Sequence, residues 1–247
     1  MIGRSGNPTL KENTFQRTGD SHSGGVMTID GTVNKTFIAL AILLGGAFAA
    51  WSMYEGGNAS VMGLAIGGAI AGFVLALIIS FVPRSAPYLV PIYAAVEGLF
   101  LGAISAHFNA QTNGIAMQAA LLTMGVFLAM LLAYKTGLIK ATPTFKKIVI
   151  AATLGIMVMY LFSFVLSFFG VGMSFLHDSS MLSIGISLVV VGIAALNLVL
   201  DFDFIEQGSQ QGAPKYMEWF GAFGLLVTLV WLYVEMLRLL SKLANRD

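Results

Sequence analysis

The sequence predicts an all-α, polytopic membrane protein with seven transmembrane helices. Three observations support this. Of the 247 residues, 57% are hydrophobic and only 10% are charged, with a mean hydropathy of +0.84. Soluble domains carry about 25% charged residues, so this chain cannot cover its surface against water and must be covered by lipid. Seven apolar stretches are each long enough for the ~20-residue helix that crosses a hydrocarbon core. Connections that carry basic residues then alternate with connections that carry none, as the positive-inside rule requires.

Residues 1–35 are polar and rich in Gly, Ser, Thr and Asn. They are expected to form a mostly disordered cytoplasmic tail without a cleavable secretory signal. Residues 36–243 then form the transmembrane domain. Its spans are expected at about 37–54, 60–82, 88–108, 115–134, 148–169, 181–203 and 216–241. The short connections make neighbouring helices antiparallel. Gly63, Gly67, Gly68 and Gly72 in span 2 are small residues that let helix backbones approach closely. Trp51, Tyr54, Tyr88, Tyr216 and Trp219 fall near span ends as interfacial anchors.

Arg4, Lys11, Arg17 and Lys35 lie in the tail, Arg84 in the second loop, Lys135, Lys140, Lys146 and Lys147 in the fourth, and Lys215 in the sixth. The loops at Glu55, Asn109 and His177–Asp178 carry no Lys or Arg. This pattern places the N-terminus in the cytoplasm, in a plasma membrane that we expect to be a bacterial inner membrane, and the C-terminus outside. Arg238, Lys242 and Arg246 oppose that placement. Either the last segment is re-entrant or the earlier loops dominate, and the lysine-rich fourth loop favours the second.

The net charge of +1 argues against a nucleic-acid partner, which needs a basic face. The absence of cysteine excludes disulfides, thiolate metal sites and cysteine nucleophiles. No Gly-x-Gly-Asp or His-Glu-x-x-His element is present, and His107 and His177 lie at span ends. No enzymatic activity is therefore expected, and no cofactor. No inverted repeat marks a secondary transporter.

The chemistry rests on ionisable residues inside the spans, because an acid at a helix centre costs ~2.5–3.5 kcal/mol on insertion scales. Glu97 lies mid-span in YAAVEGLFLGAIS, with Tyr93 and Ser105 expected on about the same face. A second group, in ALNLVLDFDFIEQ, holds Asn197 and Asp201 on one face and Asp203 with Glu206 on another. The third is Glu235 with Arg238 three residues on, and Glu218 is expected to be solvated at an interface. If these faces converge, the carboxylates share one low-dielectric cavity and titrate as a unit. An oxygen-rich site at Asp201 and Asp203 would also suit calcium. The expected ion- and proton-sensing residues are Glu97, Asp201, Asp203 and Glu235. Arg84, Asn197, Glu206 and Arg238 are the candidate latch and supporting residues.

On these residues the chain resembles the transmembrane Bax inhibitor motif superfamily, in its bacterial branch. The resemblance covers about residues 35–243. It rests on the seven spans, the Glu97-Gly98 step, the Phe202-Asp203 step and Leu232-Tyr233-Val234-Glu235, the nearest match to a Leu-Tyr-Leu-Asp motif. It implies a pH-sensitive calcium leak channel, with an aspartate pair between the last two helices latched by an arginine near span 2, here Arg84. The family's usual separation from Asp203 reaches the vicinity of Thr228, which cannot ionise. Asp201 with Asp203, or either with Glu97, would then be the substitute pair. The resemblance also implies an alternative: a non-transporting membrane partner that modulates a membrane protease or a stress response.

Overall fold

The computed structural model describes residues 25–57, 61–170 and 178–246. Residues 1–24 of the tail expected at 1–35, and His177, lie outside the described residues. Among the described residues, seven helices are long and apolar enough to cross a membrane. They are α1 (Ile29–Glu55), α2 (Val61–Phe81), α3 (Ala86–Gln111), α4 (Ile115–Lys135), α5 (Pro143–Phe168), α6 (Met181–Gln210) and α7 (Met217–Ala244). A single 3-10 turn, Pro83–Ser85, joins α2 to α3. The chain is an all-α, multi-pass membrane protein. The end of the bundle where α1, α3, α5 and α7 begin is called the near end, and the opposite one the far end.

Local sequence sets the boundaries. Thr28, Thr142 and Ser180 cap the starts of α1, α5 and α6, each hydroxyl accepting from the backbone N–H three residues on. Pro143 opens α5, where a missing N–H costs nothing. At the end of α6, Gly212 takes a φ of 64°, a left-handed conformation that suits glycine.

Two departures from the expected spans matter. Helix α1 begins at Ile29, not 37, because the Thr28 cap and the packing of Met27 carry it through a polar first turn. The chain ahead of it is fixed as well: Met27 N–H donates to Ala213 O (2.7 Å) and Lys215 N–H to Gly25 O (3.1 Å), beside an isolated bridge from Val26 to Pro214. Helix α7 is a continuous helix of 28 residues, so the re-entrant alternative is overturned. At 1.5 Å per residue it is about 42 Å long.

Helix α7 is the most enclosed span and packs against α1, α3, α4 and α6. Helix α3 crosses α1 closely. A Cβ on Gly46 would come within 2.7 Å of Ala95 O, and side chains at Gly98 and Gly102 would run into the α1 backbone at Leu43 and Ala47. The glycine of the Glu97-Gly98 step is therefore a contact point between helices. In α2, Gly68 and Gly72 face α3, whereas Gly63 and Gly67 have open space beside them, so only half of that glycine set packs as expected. Helix α5 is the least enclosed span, with α6 as its main neighbour.

Candidate functional site

The intramembrane polar residues do not pool in one cavity. One set of them forms a ladder along the seam between α5, α6 and α7. Lys146 at the start of α5 is ion-paired with Asp203, which also accepts from Gln207 Nε2 at 2.6 Å. Further along, Asn197 Nδ2 donates to Thr153 Oγ1 (2.8 Å) and to the Ile193 carbonyl (2.9 Å). Toward the far end, Tyr160 Oη donates to both oxygens of Glu235, at 3.1 and 3.2 Å. Arg238 Nη1 lies 2.9 and 3.1 Å from the same oxygens and 2.7 Å from Tyr160 Oη, with its guanidinium over the Tyr160 ring. Beyond these, buried Lys242 donates to Ser187 Oγ at 2.8 Å.

Helix geometry explains the alignment. Lys146, Thr153 and Tyr160 recur every seven residues and so lie on one stripe of α5. The buried residues of α5, Val149, Ile156 and Ser163, follow the same seven-residue repeat. A peripheral helix with little apolar burial is thus held to its neighbours by polar contacts at three depths. Sequence reading missed this stripe. Its signal was a seven-residue spacing of polar side chains in an otherwise apolar span.

Each predicted residue has its own place. Asp201 faces α7, not the ladder: its Oδ1 lies over Gly224, its carboxylate is bonded by the Thr228 hydroxyl, and its buried Oδ2 has no hydrogen-bond partner among the described residues. Glu206 turns to α4, where Tyr134 Oη donates to it, and it also accepts from Gln210 at 3.2 Å. Asp203 and Glu206, expected on one face, therefore serve different helices. Asn197 and Asp201 likewise diverge, to α5 and α7, so Asp201 and Asp203 do not converge on one site. Among the described residues, no group of three or more acids and histidines is placed to hold a metal ion.

Glu97 is half-buried against α2, with its Oε2 2.5 Å from where a Cβ on Gly72 would stand. No hydrogen bond to its carboxylate occurs among the described residues. Ser105, expected beside it, bonds Tyr233 Oη of α7 at 2.7 Å. Eight residues along a helix of 3.6 residues per turn is a rotation of about 80°, enough to face another neighbour. Arg84 is exposed in the 3-10 turn and forms no ion pair among the described residues. Glu235 and Arg238 do come together, at Tyr160 of α5, whereas Asn197 meets α5 two turns away, at Thr153.

One expectation is overturned outright. Glu218 is fully buried, not solvated. It accepts from Thr28 N–H and Oγ1, each at 2.9 Å, and is ion-paired with Lys35 and with Lys215, the latter at 2.8 Å. The missing side chain of Gly31 makes the space its carboxylate occupies. The partners lie far off in the chain, so nothing in the local sequence showed this enclosure.

Seven apolar helices with paired charges inside them define a polytopic membrane protein whose interior is adapted to ionisable groups. The chain belongs to the Bax inhibitor 1 like family, whose model matches residues 7–245. No curated protein and no solved structure matches it.

Proposed function

We propose that the protein is a proton-regulated cation leak of the membrane, with calcium as the permeant ion that the family resemblance implies. The observation that carries this reading is the polar ladder: Lys146–Asp203, Asn197–Thr153 and Glu235–Tyr160–Arg238 occupy successive depths along one seam. A purely structural bundle gains little from such groups, because each buried ion costs several kcal/mol in desolvation. Polar and ionisable groups inside spans mark ion and proton paths. Asp203 and Glu235 are the acids of this seam, each held by a cation. Asp201, with one oxygen unpartnered among the described residues, is the acid left to accept a cation between α6 and α7.

The near end is assigned to the cytoplasm of a bacterial inner membrane. Lys35, Arg84, Lys135, Lys140, Lys146, Lys147 and Lys215 all gather there. The opposing charges at the end of α7 are largely accounted for inside the bundle: Arg238 pairs with Glu235, and Lys242 is buried against α6.

The test is calcium flux into liposomes holding the purified protein, measured across pH. Flux that rises or falls with pH, and that changes in Asp203→Asn and Glu235→Gln, supports the reading. Flux absent at every pH would leave the transport-independent alternative, a membrane partner of a protease or stress pathway.

A further inference from the structure

A groove of about 890 Å³ opens near the near end between α1 and α4. That volume is in the upper part of the ~300–1,000 Å³ range of ligand pockets. Val33 and Phe37 of α1 and Leu128 and Leu131 of α4 form its walls, with Phe202 and Leu229 behind them. Helices α1 and α4 make no substantial contact with each other, and both Phe37 (67% exposed) and Leu128 (50% exposed) still face outward. The groove therefore opens sideways, toward the hydrocarbon of the bilayer.

Its chemistry changes at the membrane boundary. Lys135 and Lys140 line the end of the groove, both exposed and neither in an ion pair among the described residues. Of the two acids at the same end, Asp203 is ion-paired with Lys146, and Glu206 is held by hydrogen bonds from Tyr134 and Gln210, so the lysines there outnumber the acids. Apolar walls below two exposed ammonium groups match one kind of occupant. We propose that the groove binds an anionic glycerophospholipid, with an acyl chain between α1 and α4 and its phosphate on Lys135 and Lys140. The apolar walls offer contacts to an acyl chain that a free phosphate lacks, and the two cations select against a zwitterionic headgroup, whose own ammonium they repel. This site meets the ladder at Asp203 and does not depend on conduction.

Native mass spectrometry of the full chain, offered phosphatidylglycerol and phosphatidylcholine with identical acyl chains, tests the proposal. Phosphatidylglycerol should be retained in preference. A juxtamembrane lysine is worth about fivefold in affinity for anionic lipid, so Lys135→Gln and Lys140→Gln should each lower that retention by about this factor. Leu128→Trp, which blocks the groove from a position exposed to lipid and so leaves the fold intact, should abolish it. Equal retention of the two lipids overturns the proposal, as does a preference that survives both lysine substitutions. A preference lost in the lysine variants but kept in Leu128→Trp places the lipid on the loop surface and overturns the groove.

Discussion

Tyr160 of α5 donates to both carboxylate oxygens of Glu235 on α7, while Arg238 reaches the same two oxygens from one turn further along α7. Glu235 is only 2% exposed, so these two partners are what permits a charge at that depth. Removing one partner of a buried ion pair costs about 3–5 kcal/mol, because the other is left uncompensated, whereas removing both is much milder. Arg238→Gln should therefore destabilise the protein strongly, and Glu235→Gln with Arg238→Gln should recover most of the loss. Denaturant unfolding of the two variants in detergent micelles measures this.

The middle rung separates structure from transport. The Asn197–Thr153 hydrogen bond, at 2.8 Å, joins neutral groups, and such bonds within membranes average about 0.6 kcal/mol. Thr153→Val should leave stability within about 1 kcal/mol of the parent. If the seam conducts, the same change should reduce calcium flux severalfold. Flux equal to the parent's would remove Asn197 and Thr153 from the path.

Gly31 tests the near-end lock. A methyl group there would run into the Glu218 carboxylate, which Thr28, Lys35 and Lys215 hold in place. Overpacking of this kind costs about 1–3 kcal/mol. Gly31→Ala should lower the melting temperature measurably, even though alanine is the better helix former. An unchanged melting temperature would show that Glu218 can move aside.

Asp178, in the loop before α6, serves as a pH control. Hydrogen bonds from Ser180 Oγ (2.7 Å) and Ser180 N–H (3.3 Å) hold its carboxyl below the usual range. A depressed folded-state pKa means that its contribution is present above the ordinary aspartate value and is lost only as pH falls through the lower one. Asp178 therefore stays ionised at any pH near neutrality, and Asp178→Asn should leave the pH profile of flux where it was. A displaced profile would place a proton sensor at the far end.

The bundle was largely legible from hydropathy. Spans expected at 60–82 and 115–134 correspond to helices Val61–Phe81 and Ile115–Lys135. Errors arose where a helix continues past its apolar stretch. Helix α6 runs on to Gln210 and α1 starts at Ile29, because caps and side-chain partners carry polar turns that hydropathy cannot see. The candidate acids were found one by one, but their partners were not. A span that is apolar all round gives no rotation signal, so Asp201 toward Thr228 and Asp203 toward Lys146 could not be told apart. Glu218 was misjudged for a related reason: its enclosure comes from α1, at the other end of the chain.

That enclosure has a consequence for biogenesis. Lys35 and Glu218 are 183 residues apart in sequence. At a synthesis rate of about 5–20 residues per second, the lysine of the first helix emerges roughly 10–40 s before its counter-ion exists. The first span must therefore be inserted and held in the membrane unfinished until α7, the enclosed helix it packs against, has been made.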